Sequence, residues 1–368
     1  MGSRPTITRR RLLRGVGTTG ALALAGCTSS DDSGDGGGDG STSSDETDST
    51  DGGTSSEETT SSDLKGFSGT MTIFHAGSLS APFDAAEKKV ESNYDVQVNQ
   101  EAKGSVDSTR KITNLGRAAD VLGVADYRLL RDMMLPKHAK WYAVFATNAM
   151  TIAYTDKSTG SDEISADNWW KILGRDDVTF GHSDPAADPN GYRSVMSMKL
   201  GAIPLDGEKL FDESTSKKLI DKSKVPSSTE TDLLSQLHSG DLDYAWEYQS
   251  TSASHDVKTV DLQPSVDLSK ATKKYAEHYA KVSVKTDSAT YTGAPIAYGM
   301  TVPSNAKNTE AGNAWVEYMI TEPGGKILKD NGFKPVSPAV VPKSQKDAVP
   351  ETIMNDAEAK SALGPLKL

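Results

Sequence analysis

The sequence predicts an α/β protein of two lobes, each a mostly parallel sheet flanked by helices, with the first lobe split between the two ends of the folded body. Three observations carry this reading. A βαβαβ pattern opens the body between residues 71 and 125. A near-continuous β stretch at 141–154 is interrupted only around Asn148. Two further strands at 282–302 bring the chain back before the C-terminal helices. Parallel sheets take ligands beyond the carboxyl ends of their strands. The order first lobe, second lobe, first lobe implies two hinge crossings, near Asn148 and near residues 286–295.

A leader precedes that body. Residues 1–27 carry five Arg and no acid, and Thr8-Arg9-Arg10-Arg11-Leu12-Leu13-Arg14 matches a twin-arginine signal. The apolar run from Val16 to Ala25 is broken by Gly and Thr, and it is too short and weakly apolar to span a bilayer. It ends in Leu24-Ala25-Gly26-Cys27, which resembles a lipobox. Cys27 is the only cysteine, so it has no internal disulfide partner. Its place directly after the apolar run makes it the expected lipidated first residue of the mature chain, anchored at the outer face of the membrane. Residues 28–66 are expected to be a disordered acidic tether: 28–63 hold eleven acids and no base among Gly, Ser and Thr. These acids supply most of the net charge of −11 and leave the body from residue 64 onward near −5. No basic patch of the kind a nucleic-acid binder needs is present, and a monomer without nucleic acid is expected.

The body is expected to divide into 67–148 and 291–368 for the first lobe and 149–290 for the second. Met71–His75 alternates apolar and polar residues as a strand does, and Ser80-Ala81-Pro82 starts a helix running to about Ser92. Tyr94–Val98 is a second strand, Gly104-Ser105 opens a helix closed by Gly116, and Ala119–Ala125 is a buried third strand. Ser78, Ser80 and Ser105 then lie on one sheet edge, each suited to a plain N-cap. In the second lobe, helices are expected at 166–173, with Trp169 and Trp170 in the core, at 205–221 and at 233–239. Strands are expected at 178–182 and 241–248. Helices at 311–320 and 324–331 and a polar, Pro-rich segment at 335–350, packed around the first lobe, complete the chain.

The most informative stretch is Ser183-Asp-Pro-Ala-Ala-Asp-Pro-Asn-Gly-Tyr-Arg-Ser194. It lies between the β-rich run at 178–182 and an apolar-periodic segment. Asp and Asn before a helix are N-cap residues, and the N–H groups of a first helical turn bind anions. Strand, rigid loop and helix N-terminus are therefore expected to face a small ligand. His75 is expected to be buried at a strand end, because the six His show no ligand spacing. Arg110 and Arg193 either reach an anion or pair with Asp107 and Asp184.

Several stretches resemble the archaeal tungstate/molybdate-binding proteins of ABC importers, a branch of the molybdate-binding family. They are His75–Ser80, Gly104-Ser105-Val106 with Arg110–Ile112, Ala119–Asp126, Phe145–Asn148, Ser183–Pro185 with Asp188-Pro189 and Gly191–Ser194, Glu230–Leu234, Asp243–Ala245 with Glu247-Tyr248, and Pro295 with Tyr298-Gly299. The match covers most of 70–345 with its motifs in order. It implies a periplasmic-binding-protein-like fold that closes on one oxyanion and passes it to an ABC permease, with no catalysis and no cofactor. In that branch the bound centre resembles an octahedron completed by two carboxylates, here Asp188 and Glu230. Hydrogen bonds come from Gly77, Ser78, Ser105 and Tyr248. Asn190 stands where Cys is common, and the segment between Arg193 and Glu230 is short, which leaves Glu247 as the alternative second carboxylate.

Elementary electrostatics opposes carboxylates beside a tetrahedral dianion, which neutral N–H and O–H donors serve best. The conflict disappears if the centre is a large, hard metal ion that accepts two more oxygens. Sulfur and phosphorus do not expand in this way, so the two acids would select tungstate or molybdate over sulfate. The competing reading makes both acids helix caps. Receptors for sulfate, phosphate or an iron complex, and a secreted hydrolase, are further alternatives. Against the hydrolase, the chain has no Gly-x-Ser-x-Gly elbow and no P-loop.

Overall fold

The computed structural model describes residues 65–368. The expected twin-arginine signal, Cys27 and nearly all of the tether lie outside the described residues. Strands β1 (Gly69–Ala76), β2 (Val96–Lys103), β3 (Val121–Val124) and β4 (Ala143–Thr147) belong to a first sheet. Strands β5 (Met150–Tyr154), β6 (Phe180–Ser183), β7 (Lys224–Ser227), β8 (Tyr244–Tyr248) and β9 (Lys258–Val260) form a second. A separate hairpin, β10 (Ser283–Lys285) and β11 (Thr290–Thr292), precedes the return to the first sheet through β12 (Ala297–Thr301), β13 (Lys334–Pro342) and β14 (Ala357–Lys360). Strand order is β14-β13-β4-β12-β3-β1-β2 in the first sheet and β7-β6-β8-β5-β9 in the second.

Both sheets are mixed rather than mostly parallel. β1 pairs in parallel with β2 and β3, as the βαβαβ pattern dictates. β12 instead runs antiparallel to β3 and β4, because it re-enters the first sheet from the opposite end. In the second sheet β5 is antiparallel to β8, whereas β6 and β8 are parallel. β4 and β5 are separated by Asn148 and Ala149 alone yet lie in different sheets.

The helices are α1 (Ser80–Asn93), α2 (Ser105–Thr113), α3 (Trp169–Leu173), α4 (Pro189–Leu200), α5 (Glu213–Lys222), α6 (Thr231–Ser239), α7 (Thr251–Ser254), α8 (Lys273–Tyr279), α9 (Thr309–Ile320), α10 (Glu322–Asp330) and α11 (Glu351–Asn355). α4 is buried along almost its whole length. α6 buries Leu233, Leu234 and Leu237 against Ala153, Leu242 and Ala245. At about 1.5–3 kcal/mol for each buried Leu, that face fixes the helix, and with it the residue before its first turn. Trp169 is core, edge-to-face with Trp246 and Phe211.

Three expected elements differ. The helix expected over 205–221 forms only as α5, capped by the Asp212 carboxylate accepting from the Thr215 N–H at 2.7 Å. The residues before it turn through Asp206 and Gly207 at positive φ. The Pro-rich segment expected to pack around the first lobe is in fact a member of its sheet, β13. A register shift between Pro335 and Val340 absorbs the prolines, and Val340 and Val341 are buried. β2 extends through the polar run to Lys103 because it is an edge strand with a solvated face.

Candidate functional site

Asp188 is placed by a turn that the sequence specifies twice over. The Asp184 carboxylate accepts the Ala186 N–H at 2.8 Å, closing the loop after β6, and Pro189 starts α4. Gly191 lets this turn pack tightly, since a Cβ there would lie 2.2 Å from the Ser183 carbonyl oxygen. Asp188 has extended backbone at the N-cap position, but its side chain makes no cap hydrogen bond. The Asn190 N–H lies near enough to oppose a rise in its pKa without reaching hydrogen-bond geometry. Instead Oδ2 accepts from the Ser183 hydroxyl at 2.8 Å, and Oδ1 is buried without a partner.

Glu230 stands at the same position before α6 and also makes no cap bond. Its Oε1 accepts the Ser78 N–H at 2.6 Å, from the turn after β1, and Oε2 is buried without a partner. Two buried carboxyls, each with an orphaned oxygen, are not helix caps. Burial, and then the charge of Glu230 beside it, push the Asp188 carboxyl well above its ordinary range. Glu247 on β8 is a third buried carboxyl, raised well above its ordinary value by burial and by Glu230. Its Oε2 accepts from the Thr251 hydroxyl at 3.2 Å, and Oε1 has no partner. Gly77, Ser78, Glu230, Glu247, Ser250 and Thr251 line a cavity of about 20 Å³, room for roughly one water. The larger surface depressions of 580 and 600 Å³ contain none of these residues.

The remaining sequence-predicted residues come from both sheets. Ser78 is not an N-cap. It lies in a 3-10 turn, Gly77–Leu79, ahead of α1, with its hydroxyl 3.0 Å from that of Tyr298. Ser105 is the first residue of α2, and its hydroxyl oxygen accepts the Ala125 N–H at 3.0 Å, which leaves the hydroxyl hydrogen free. The next two N–H groups of α2, from Val106 and Asp107, both point at the Ala187 carbonyl, at 3.1 and 3.3 Å. The second-sheet loop that carries Asp188 is therefore docked on the first-sheet helix that carries Ser105. Tyr248, at the end of β8, accepts a hydrogen bond from Arg193 Nη1 at 2.8 Å.

Arg193 does not pair with Asp184: its Nη2 is 3.4 Å from Asp126. Arg110 does face Asp107, at 3.7 Å, and donates to the Ala186 carbonyl at 3.0 Å. His75 is buried with Nδ1 2.8 Å from the Ala76 carbonyl oxygen, and burial lowers its pKa to about 4, so it is neutral. No cluster of three His, Cys, Asp or Glu side chains suited to a metal ion occurs among the described residues. Sequence reasoning assigned no role to Tyr298 and read Asn148 only as the bend at a hinge crossing. Asn148 donates to the Ser250 hydroxyl at 2.9 Å and lies 3.5 Å from the Tyr298 hydroxyl, tying the bend between β4 and β5 to the site. Its signal was its place at the break in the β run.

Two mixed sheets with a buried polar site built from loops of both define a binding protein of the two-lobed type. The sequence model for bacterial extracellular solute-binding proteins matches residues 71–334, and the chain belongs to that family. Its members bind solutes and are not enzymes, and the same holds for this chain. It is 38% identical over 317 residues to the molybdate/tungstate-binding protein WtpA of Pyrococcus abyssi, covering 79% of this chain and 90% of that one. It is 42% identical over 281 residues to an uncharacterized solute-binding protein of Petrotoga mobilis, covering 74% and 85%. Among solved structures, the periplasmic molybdate-binding protein of Azotobacter vinelandii superposes with a TM-score of 0.53 at 14% identity, over 72% of this chain and 98% of that one. The sulfate-binding protein SubI of Mycobacterium tuberculosis gives 0.54 at 14%, over 77% and 92%. At that identity both show the fold alone.

Proposed function

We propose that this protein captures tungstate or molybdate outside the cell and hands it to an ABC permease, held at the membrane by a lipid on Cys27. The observation that carries the reading is the pair Asp188 and Glu230. Both acids stand at cap positions without capping, both are buried, and each keeps one oxygen unpartnered. A site for sulfate, fully ionised and with no O–H to donate, gains nothing from carboxylates beside it. A hard metal centre that takes two further oxygens uses both. In this reading Asp188 and Glu230 complete the coordination of the metal, with Glu247, which lines the same cavity as Glu230, as the alternative second carboxylate. The Ser78 turn with Gly77, the free hydroxyl hydrogen of Ser105, and Tyr248 serve the oxo groups. The similarity to WtpA supports the same solute. The lobes are taken to divide as 67–148 with 291–368 and 149–290, closing about residues 148–149 and 286–295.

Calorimetry should show one tungstate or molybdate bound per chain, with sulfate much weaker. Sulfate binding as tight as tungstate would move the protein to the class of general oxyanion receptors. No helix among the described residues is long and apolar enough to cross a membrane. Cys27→Ser should shift the protein from the membrane fraction to the medium or leave its leader uncleaved. Unchanged fractionation would remove the lipid anchor from the reading.

A further inference from the structure

Arg193 is the only Arg or Lys among the described residues whose side chain is buried from solvent. It lies in the second turn of α4, five residues beyond Asp188, and its guanidinium faces two ways. Nη1 donates to the Tyr248 hydroxyl at 2.8 Å, and Nη2 lies 3.4 Å from Asp126 Oδ2. Asp126 follows β3 in the first sheet, where Arg128 holds it at 2.6 Å, and the Tyr192 hydroxyl donates to it at 2.8 Å. One residue of the second lobe thus joins a site tyrosine of its own lobe to an anchored carboxylate of the other. A guanidinium has donors only, so the Tyr248 oxygen must be the acceptor. Its single hydrogen is turned away from Arg193, and no acceptor for it is found among the described residues. A buried O–H left in that condition is costly unless something completes it.

We propose that Arg193 is a positioning residue that fixes Tyr248 as a hydrogen-bond donor to the bound oxyanion and, through Asp126, ties that donor to closure of the two lobes. The proposal rests on the reading of the site given above. The guanidinium polarises the hydroxyl it donates to, strengthening the outgoing hydrogen bond. Its fixed positive charge also offsets part of the negative charge that the ligand and the acids bring together. The guanidinium carbon also lies over the rings of Tyr192 and Tyr248, 5.8 and 5.7 Å from their centroids. A fork whose two ends reach Tyr248 and Asp126 at once suits Arg better than the single ammonium of Lys.

A double-mutant cycle on tungstate binding tests it. Tyr248→Phe should weaken binding about tenfold, the scale of one charge-assisted hydrogen bond. Arg193→Met should weaken it at least as much, and the double variant should be no weaker than Arg193→Met alone. Asp126→Asn should speed tungstate dissociation in a stopped-flow molybdate chase while leaving association unchanged, because it loosens only the closed state. If Arg193→Met does not fold, Arg193→Lys takes its place in the cycle with the same expected non-additivity. Losses that simply add, or an Asp126→Asn variant with the wild-type dissociation rate, would overturn the proposal. Wild-type protein that does not bind tungstate would instead overturn the functional reading beneath it.

Discussion

Asp188→Asn should weaken tungstate binding about a hundredfold or more, roughly 2.7 kcal/mol, while leaving the ligand-free protein at least as stable at neutral pH. The substitution keeps the size of the side chain and an oxygen for the Ser183 hydroxyl, but it removes the anionic oxygen a metal centre would take. The stability half of the expectation follows from linkage. Burial and Glu230 raise the Asp188 pKa in the folded protein, so folding favours the protonated form. Its stabilising contribution is complete below the unfolded value of 3.8 and is lost as pH climbs through the raised one. Glu247 behaves in the same way from 4.5. Asp126 has the opposite sign: although burial opposes it, Arg128, Arg193 and Tyr192 hold its carboxyl well below the ordinary range. Its contribution is present above 3.8 and disappears only in stronger acid. Urea denaturation of ligand-free protein should therefore show lower stability at pH 7.5 than at pH 5, with a smaller difference in Asp188→Asn. Unchanged tungstate affinity would remove Asp188 from the coordination of the metal, since Asn serves a cap about as well as Asp.

The placement of the candidate site's residues was largely legible because its parts are local. Asp184-Pro185 and Asp188-Pro189 announce a closed loop and a helix start, and both are present as read. Ser78, Ser105 and Glu230 are likewise found where strand ends and first helical turns were expected. What those residues do was less legible. A cap and a ligand occupy the same sequence position, and only the direction of the side chain separates them. Glu230 turns from its own helix to the Ser78 N–H, 152 residues away. Ser105 spends its oxygen on Ala125 in the next strand. For Arg193 the sequence offers a bound anion or the nearby Asp184, whereas its partner Asp126 is brought up by another sheet.

The fold shows the same division. The βαβαβ opening was readable because hydrophobic period and capping agree over short spans. The direction of β12 was not, since a returning strand reads the same whether it enters a sheet parallel or antiparallel. β13 was hidden by Pro335, Pro338 and Pro342, which argue against a central strand until the register shift between Pro335 and Val340 is known.

Gly104→Ala should impair binding nearly as much as the loss of a carboxylate, although a methyl group at residue 104 changes neither charge nor hydrogen-bonding capacity. Gly104 is the N-cap of α2, with φ −52° and ψ 139°, a conformation that alanine adopts without strain. Within its own lobe the substitution should therefore cost little. Across the cleft the situation is different. A Cβ at residue 104 would lie 2.4 Å from the Ala187 carbonyl oxygen and 3.0 Å from Asp188 Cβ. That carbonyl accepts the Val106 and Asp107 N–H groups, so in the proposed closure the methyl would occupy the space between α2 and the loop that carries Asp188. Overpacking of this kind costs about 1–3 kcal/mol, or roughly 5- to 150-fold in affinity if all of it falls on the closed state. Small-angle scattering should show wild-type protein compacting with saturating tungstate, as hinge closure requires, and Gly104→Ala remaining extended or closing only in part. Melting of the two ligand-free proteins should differ little, which separates a closing defect from a folding defect. A variant that compacts and binds like wild type would mean that the loop at 187–188 can dock elsewhere, and that the contact between α2 and Ala187 is not what closes the site.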